Sequence, residues 1–234
     1  MSAARSDPRP ITVLIVDDER TFGEALQLAL RQEKDLKVID IAVDGDTAVR
    51  AVDEHHPDVV LMDVAMPGMS GIEATRRIKE EDPEAQVLIL SGHEDPLLLA
   101  RAVQAGAVGL LRKTETVVNV ATSVRRAYRG EPIHDQEEVD IAMRRLRHRR
   151  DADADAKRRL ERLTPREREI IVQMATGMAP DGIAQALGMS PHTLRTHTQN
   201  ILTKLGVHSK MEALVLAIRH GAVETVDLTE GAAG

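Results

Sequence analysis

Short apolar runs alternate with amphipathic segments through the first half of the chain. Five runs have the length of buried strands, at residues 11–16, 38–42, 59–62, 87–90 and 108–112. Between them, apolar residues recur at helical spacing, as at Phe22, Leu26 and Leu30. Because strand and helix alternate five times, the pattern predicts an α/β domain with a doubly wound, five-stranded parallel sheet.

The second half has a different pattern, which predicts a small all-α domain of four helices. We expect helices near residues 166–176, 181–187, 191–205 and 210–220. Their starts carry capping signals, with capping boxes at residues 164–167 and 209–212 and a Ser-Pro pair at 190–191. The second and third helices meet through a tight turn that contains Gly188, which is the helix-turn-helix geometry.

Residues 129–162 separate the two halves and form a charged linker that we expect to be partly helical. The basic run at 144–150 has two interpretations, a nucleic-acid contact or a solvated helix whose arginines face nearby acids. The second interpretation is favoured. Residues 222–234 are small and polar, and we expect a flexible tail there.

Composition excludes several classes of protein. The 234 residues include no cysteine, so disulfides and cysteine-based zinc sites are excluded. No apolar stretch approaches the roughly 20 residues of a membrane helix, and the start lacks the apolar segment of a signal peptide. We therefore expect a soluble, cytoplasmic protein without membrane contact. The net charge of -7 argues only weakly against nucleic-acid binding, because it says little about one face of one domain.

The candidate chemistry lies where the apolar runs end. Asp17 and Asp18 follow the first run, Asp63 ends the third, Ser91 follows the fourth and Lys113 follows the fifth. Because the carboxyl ends of parallel strands line one crevice, these side chains should converge. Three neighbouring carboxylates share a proton or bind a hard cation, and Mg²⁺ fits oxygen ligands best. Asp63 is then a candidate nucleophile toward a phosphoryl donor, with Lys113 and Ser91 balancing the charge.

These residues, together with the segments 66–71 and 105–107, resemble the receiver domain of bacterial two-component response regulators over residues 10–128. The resemblance implies a flavodoxin-like fold in which Asp63 is the phosphoacceptor. It also implies that Asp18, Asp63 and the carbonyl of Ala65 ligate Mg²⁺, and that Asp17 acts through water. Ser91 and Lys113 would contact the phosphoryl group.

Leu110 departs from that family pattern. Many relatives carry an aromatic residue three positions before the lysine, where its rotamer follows the state of the hydroxyl residue. With Leu110 at this position, an aromatic flip cannot be the signal. We expect the switch to run through Ser91, the loop at 92–96 and the following helix.

Ala65 and Ser70 also replace residues that are often larger or charged, so the lifetime of a phosphoryl group is not predicted.

The helix at 191–205 is the candidate DNA-recognition helix. Its apolar stripe leaves four polar side chains facing outward, namely Arg195, Thr196, Gln199 and Asn200. These residue types read base edges or contact phosphates. Residues 163–220 contain six Lys/Arg and four Asp/Glu, so one copy is too weakly basic for tight binding. We expect a dimer on paired half-sites.

Residues 163–169 and 190–197, with the closing segment 204–207, resemble the LuxR-type DNA-binding domain. Joined to a receiver, this half resembles the NarL/FixJ class of response regulators. The resemblance implies that the long helix enters the major groove, with Lys204 added to the DNA contacts. It also implies a dimer contact through the last helix, carried here by Ala213, Leu214 and Ala217.

Gly182 departs from the family and weakens its helix by roughly 1 kcal/mol relative to alanine.

The sequence thus predicts a DNA-binding response regulator that a sensor histidine kinase phosphorylates at Asp63. It is a phosphoacceptor and not a turnover enzyme. We expect a homodimer in the active state, with promoter DNA as a partner and RNA polymerase as a further candidate. Three alternatives stay open: a regulator that works unphosphorylated and uses its receiver for docking or dimerisation, a protein-binding adaptor, and a phosphatase-like enzyme. Against the last, Ala65 stands where such enzymes carry a second acid.

Overall fold

The computed structural model describes residues 9–223, and these residues form two compact units. The boundary between the units falls between Leu146 and Arg147, inside the segment predicted as a linker. A single helix, α6 (Gln136–Glu161), contains this boundary. Each unit is described below by itself.

The first unit is an α/β domain, as the sequence predicts. Its strands are β1 (Ile11–Val16), β2 (Leu36–Ala42), β3 (Val59–Asp63), β4 (Gln86–Ser91) and β5 (Gly109–Arg112). Its helices are α1 (Arg20–Leu30), α2 (Gly45–His55), α3 (Gly71–Glu81), α4 (Leu98–Gln104) and α5 (Val117–Tyr128). All strand pairs are parallel, in the order β2-β1-β3-β4-β5. The flavodoxin-like fold is therefore confirmed.

Both faces of the sheet are covered, which explains why the strands are continuously apolar. Alternate residues point to opposite faces, so Leu14 and Met62 belong to one core while Ile15 and Leu61 belong to the other. Helices α2 and α3 supply small and branched side chains to the first core, and α1 and α5 do so for the second. Aliphatic residues fill both cores almost without aromatic rings.

Strand register brings the predicted site residues to one edge. Val16 pairs with Met62, and Ser91 pairs with Arg112. Asp17 follows Val16 in the sequence, Asp63 follows Met62 and Lys113 follows Arg112, while Ser91 is itself a predicted site residue. The amide of Lys113 continues the ladder by donating to the Ser91 carbonyl at 2.8 Å. The carboxyl ends of β1, β3, β4 and β5 therefore meet at the same place.

Gly71, at the start of α3, packs directly against the backbone of Asp63. A Cβ atom at this position would lie 1.8 Å from the Asp63 carbonyl oxygen. The Gly71 amide also donates to the Val64 carbonyl at 3.1 Å. Only glycine allows this close approach, so Gly71 fixes the position of the Asp63 main chain.

The second unit consists of the end of α6 and four further helices. They are α7 (Pro165–Ala175), α8 (Pro180–Ala186), α9 (Pro191–Leu205) and α10 (Lys210–Arg219). All four match the predicted helices within one residue at each end. Their shared core contains four almost completely buried aliphatic side chains, those of Ile170, Ile171, Ile201 and Leu205.

The predicted capping box at residues 164–167 is present, but the one at 209–212 is altered. Ser209 accepts from the Glu212 amide at 3.1 Å, as a cap should. The Glu212 carboxylate, however, accepts from the His208 amide at 3.1 Å and not from that of Ser209. The Glu212 carboxylate therefore caps the amide of His208, which precedes the N-cap residue Ser209.

An ion pair joins the start of α7 to the end of α9. Glu167 is 3% exposed, and its carboxylate lies 2.7 Å and 3.0 Å from the ammonium of Lys204. The Thr164 amide donates to the same carboxylate at 2.8 Å. Burial opposes the charge of Glu167, but the bonds from Lys204 and Thr164 outweigh it and hold the pKa of Glu167 below its ordinary value.

In residues 9–223, no helix is long and apolar enough to cross a membrane.

We predict that Gly71→Ala lowers the free energy of unfolding of the first unit by about 3 kcal/mol, because the added methyl must displace backbone. Chemical denaturation of the full chain, followed by amide exchange in β3, measures the effect. Gly92→Ala is the control, since its nearest neighbour would be the Lys113 Cδ at 4.0 Å. Equal stability of the two variants would contradict the close approach.

We predict that Glu167→Gln lowers the stability of the second unit by about 1–2 kcal/mol at neutral pH. The pKa of folded Glu167 is depressed from 4.5, so its contribution is present above pH 4.5 and is lost as the pH falls through the folded value. Amide exchange in α7 and α9, corrected for intrinsic pH dependence, measures this. Glu169→Gln, which removes an exposed acid paired with Arg166, should change protection little; an equal loss would refute the assignment.

Candidate functional site

Three carboxylates meet at the edge of the sheet. Asp17 follows β1 and is fully buried, and Asp63 ends β3 and is 3% exposed. Asp18 is exposed beside them. One oxygen from each of the three lies within 4.8 Å of the others. The sequence prediction that these acids converge is thus matched by the geometry.

Lys113 supplies the positive charge at this edge. Its ammonium lies 2.7 Å from Asp17 Oδ2 and 3.1 Å from Asp63 Oδ1. Burial disfavours the charged form of Lys113, but hydrogen bonds and attraction from the two carboxylates outweigh burial and raise its pKa. The lysine is therefore a fixed cation between two buried acids.

At Asp63, in contrast to Lys113, the effect of burial outweighs the effect of the oppositely charged partner. Burial raises the pKa of the Asp63 carboxyl, and Lys113 offsets only part of that increase. The negative charge of Asp17 raises the pKa of Asp63 further. One ammonium facing three carboxylates leaves the site with a net negative charge.

The donor set fits a hard divalent cation. All three side chains offer oxygen, which is the ligand type that Mg²⁺ prefers. Asp17 Oδ2 is buried, and among the described residues the Lys113 ammonium at 2.7 Å balances its charge. Asp18 is open to solvent and Ala65 is exposed nearby, so an ion could enter from that side.

Ser91 is buried at this edge, but its hydroxyl turns into the following loop. It donates to the His93 carbonyl at 2.9 Å and accepts from the His93 amide at 3.1 Å. An open cavity of about 420 Å³ lies beside Asp63, and Ala65, Ser91 and His93 are among its lining residues. Ala65 contributes only a methyl group to the wall of this cavity.

Phe22 contributes to the site although the sequence pattern does not mark it as functional. The Lys113 ammonium lies 4.9 Å from the centroid of the Phe22 ring, a distance at which cation–π attraction operates. Phe22 looked like an ordinary core residue of α1. No sequence signal distinguishes a phenylalanine that only packs in the core from one that also contacts the lysine, because the difference depends on where Lys113 lies relative to the ring.

On α9, the structure exposes the residues that the sequence assigned to DNA. Arg195, Thr196, Gln199 and Asn200 are all exposed, whereas Leu194, Thr198, Ile201 and Leu205 are buried. The Thr196 hydroxyl donates to the His192 carbonyl within the helix at 3.2 Å. The four polar side chains lie on the outer side of the helix and are accessible to a ligand.

Lys204, which the family resemblance adds to the DNA contacts, also makes an ion pair inside its own unit. Its ammonium is bound to the buried carboxylate of Glu167, and removing it would leave that carboxylate unpaired. The ion pair gives Lys204 a structural role, and its assignment to the DNA contacts stays a prediction.

The predicted dimer contact on α10 also needs correction. Ala213 and Ala217 are fully buried in the core of their own unit, and Leu214 is partly buried. Two buried side chains cannot contact a second chain. The exposed apolar residues of α10 are instead Met211, Val215 and Ile218.

Family comparisons agree with this arrangement. Residues 13–125 match the response regulator receiver domain, and residues 161–217 match the luxR family of bacterial regulatory proteins. The transcriptional regulatory protein LiaR of Bacillus subtilis is 35% identical over 213 residues, which is 91% of this chain and 99% of LiaR. The response regulator VraR of Staphylococcus aureus is 32% identical over 214 residues, covering 92% of this chain and 99% of VraR.

Solved structures support the same assignment. A two-component response regulator of the LuxR family from Aurantimonas sp. SI85-9A1 matches with a TM-score of 0.53 at 27% identity, over 59% of this chain and 98% of that one. The response regulator ChrA of a heme-sensing two-component system matches with a TM-score of 0.51 at 27% identity, over 91% and 98%. The chain therefore belongs to the DNA-binding response regulators of two-component systems, in the NarL/FixJ class with a receiver and a LuxR-type helix-turn-helix domain.

Proposed function

We propose that Asp63 accepts a phosphoryl group from a sensor histidine kinase, and that the modified receiver changes transcription by altering domain docking or dimerisation. One observation carries this proposal: the buried Asp63 carboxylate lies 3.1 Å from the Lys113 ammonium at an edge that two further acids share. Such an arrangement combines a nucleophile with a fixed cation for the charge of a phosphoryl group.

In the transfer step, a carboxylate oxygen of Asp63 forms a bond to phosphorus while the bond from phosphorus to the kinase histidine breaks. The leaving imidazole keeps the bonding electron pair. Lys113, already 3.1 Å from Asp63, contacts the phosphoryl oxygens and balances their charge. Mg²⁺, held by Asp18, Asp63 and the carbonyl of Ala65 with Asp17 acting through water, would supply further charge neutralisation.

Ser91 must change partners for the modified state. Its hydroxyl now donates to the His93 carbonyl, so it is not available to a phosphoryl oxygen. Donating to the phosphoryl group breaks this bond and frees the loop at residues 92–96. The loop leads directly into α4, which begins at Leu98. Phosphorylation therefore acts first on the loop and on the start of α4.

For DNA binding, we propose that α9 enters the major groove and reads base edges with Arg195, Thr196, Gln199 and Asn200. All four are exposed on one helix, as this role requires. The exposed apolar side chains of α10, Met211, Val215 and Ile218, are the surface that we assign to the dimer contact. A dimer would place two α9 helices on paired half-sites.

We predict that acetyl phosphate with Mg²⁺ adds a phosphoryl group to the wild-type chain and that Asp63→Asn abolishes the addition. Intact mass spectrometry measures the adduct, and retention on a genomic DNA pool measures its effect. Asp46→Asn, at an exposed acid on α2, is the matched control and should be modified like the wild type. Unmodified wild-type protein would favour a phosphorylation-independent regulator.

We predict that Arg195→Ala and Gln199→Ala each weaken specific DNA binding by about 10- to 100-fold and relax base preference at one position, as loss of a base-edge contact does. Selection from a random duplex pool followed by titration measures both effects. Lys210→Ala, which removes an exposed cation on α10, is the control for charge and should keep base preference. Unchanged specificity in both α9 variants would favour the protein-binding adaptor.

A further inference from the structure

Residues 133–146, which we name the strap, lie against the edge strand of the receiver sheet. Strand β5 is last in the sheet order, so one of its sides has no neighbouring strand. Such an edge presents unpaired amides and carbonyls. In this chain the strap covers part of that edge.

The His134 ring faces the open backbone groups of Leu110. Its Nε2 lies 3.0 Å from the Leu110 amide nitrogen and 3.0 Å from the Leu110 carbonyl oxygen. Its Nδ1 lies 2.9 Å from the Glu138 carboxylate. The tautomer that satisfies this arrangement donates from Nδ1 to Glu138 and accepts the Leu110 amide at Nε2. The imidazole thus accepts the hydrogen bond that the Leu110 amide would donate to a neighbouring strand.

Ile133 makes a second contact, on the neighbouring residue of β5. A Cβ at Gly109 would lie 2.6 Å from the Cβ of Ile133, so the isoleucine fills the space that glycine leaves. Asp135 then caps the helix by accepting from the Glu138 amide at 2.7 Å. These contacts fix the direction in which α6 starts.

The first turns of α6 make a third contact, with α4. Ala142 and Leu146 are buried together with Leu99 and Ala100 in a small apolar core. Leu110 and Met143 pack against the same core. Since α6 otherwise exposes mostly charged residues, this contact is the main apolar attachment of its first half.

The strap therefore rests on the two elements that phosphorylation of Asp63 should disturb. Helix α4 follows the loop that now holds the Ser91 hydroxyl, and β5 ends next to Lys113. Leu110 cannot report the state of the site by an aromatic flip. Its amide donates to His134 Nε2 and its side chain packs against the α4–α6 core, so both its main chain and its side chain contact the strap.

We propose that the strap is a conformational latch, closed over α4 and β5 in the unmodified protein and released when the phosphoryl group on Asp63 draws Ser91 and Lys113 toward it. The proposal rests on the proposed function and deepens it. Release loosens the first half of α6, the helix that continues beyond the unit boundary to Glu161. By linkage, a weakened strap must favour the phosphorylated form by the same factor that phosphorylation weakens the strap.

Amide exchange in the full chain tests the release directly. With beryllofluoride and Mg²⁺ as the phosphoryl mimic, we expect exchange at residues 136–146 and at the Leu110 amide to accelerate at least about fivefold, the lower range of measured couplings between sites. Leu146→Ala and His134→Ala should show fast exchange without the mimic. Asp63→Asn should remain protected with or without it.

Equilibrium binding provides the reciprocal test, because it does not depend on exchange rates. Calorimetric titration with beryllofluoride should show tighter binding to Leu146→Ala and Ala142→Gln than to the wild type, again by at least about fivefold. Glu137→Ala is the matched control, since it changes an exposed residue of the same helix and should bind like the wild type.

The outcomes separate the two proposals. Normal binding of the mimic with unchanged strap exchange, or equal affinities in all variants, would overturn the latch and leave the proposed function intact. Absence of binding together with absence of a phosphoryl adduct would overturn both. An equal gain in Glu137→Ala and Leu146→Ala would also overturn the latch, because the effect would then come from helix propensity and not from the apolar contact.

Discussion

The contact of Lys113 with two buried carboxylates is the interaction on which the rest of the receiver depends. Asp17 and Asp63 are almost inaccessible to water, so their charges require a partner inside the protein. One ammonium between them balances only part of the charge. The remaining negative potential explains why the same edge fits a divalent cation. A phosphoryl group on Asp63 would change this balance, and the neighbours of Lys113 and Ser91 would have to adjust.

Most of the fold could be predicted from the sequence because its patterns are unambiguous. The strands are covered on both faces, so each reads as a continuous apolar run, and the strand–helix alternation predicts a doubly wound parallel sheet, whose flavodoxin-like order the family resemblance implies. Asp17, Asp63 and Lys113 could be found because they end such runs. Parallel topology alone then brings them to one edge, without any knowledge of side-chain packing.

Other features could not be predicted because they depend on which elements pack together. Ala213 and Ala217 have the spacing of an interface, but the same spacing describes the inner face of α10. Lys204 is a cation on α9, and only its distance from Glu167 shows that its ammonium also holds a buried carboxylate. Gly71 belongs to the 66–71 signature, but the reason for a glycine is visible only in the structure, where an added Cβ would lie 1.8 Å from the Asp63 carbonyl oxygen.

Leu110 illustrates how a departure from a family pattern acquires meaning from structure. By itself, the replacement of an aromatic residue indicates only that one signalling route is missing. The structure shows that the backbone of Leu110 is bound by His134 and that its side chain packs beside Ala142 and Leu146. An aromatic ring reports the state of the site by moving its own side chain, whereas Leu110 is held through its main chain. The contacts of Leu110 with the first half of α6 therefore do not depend on a side chain that changes rotamer.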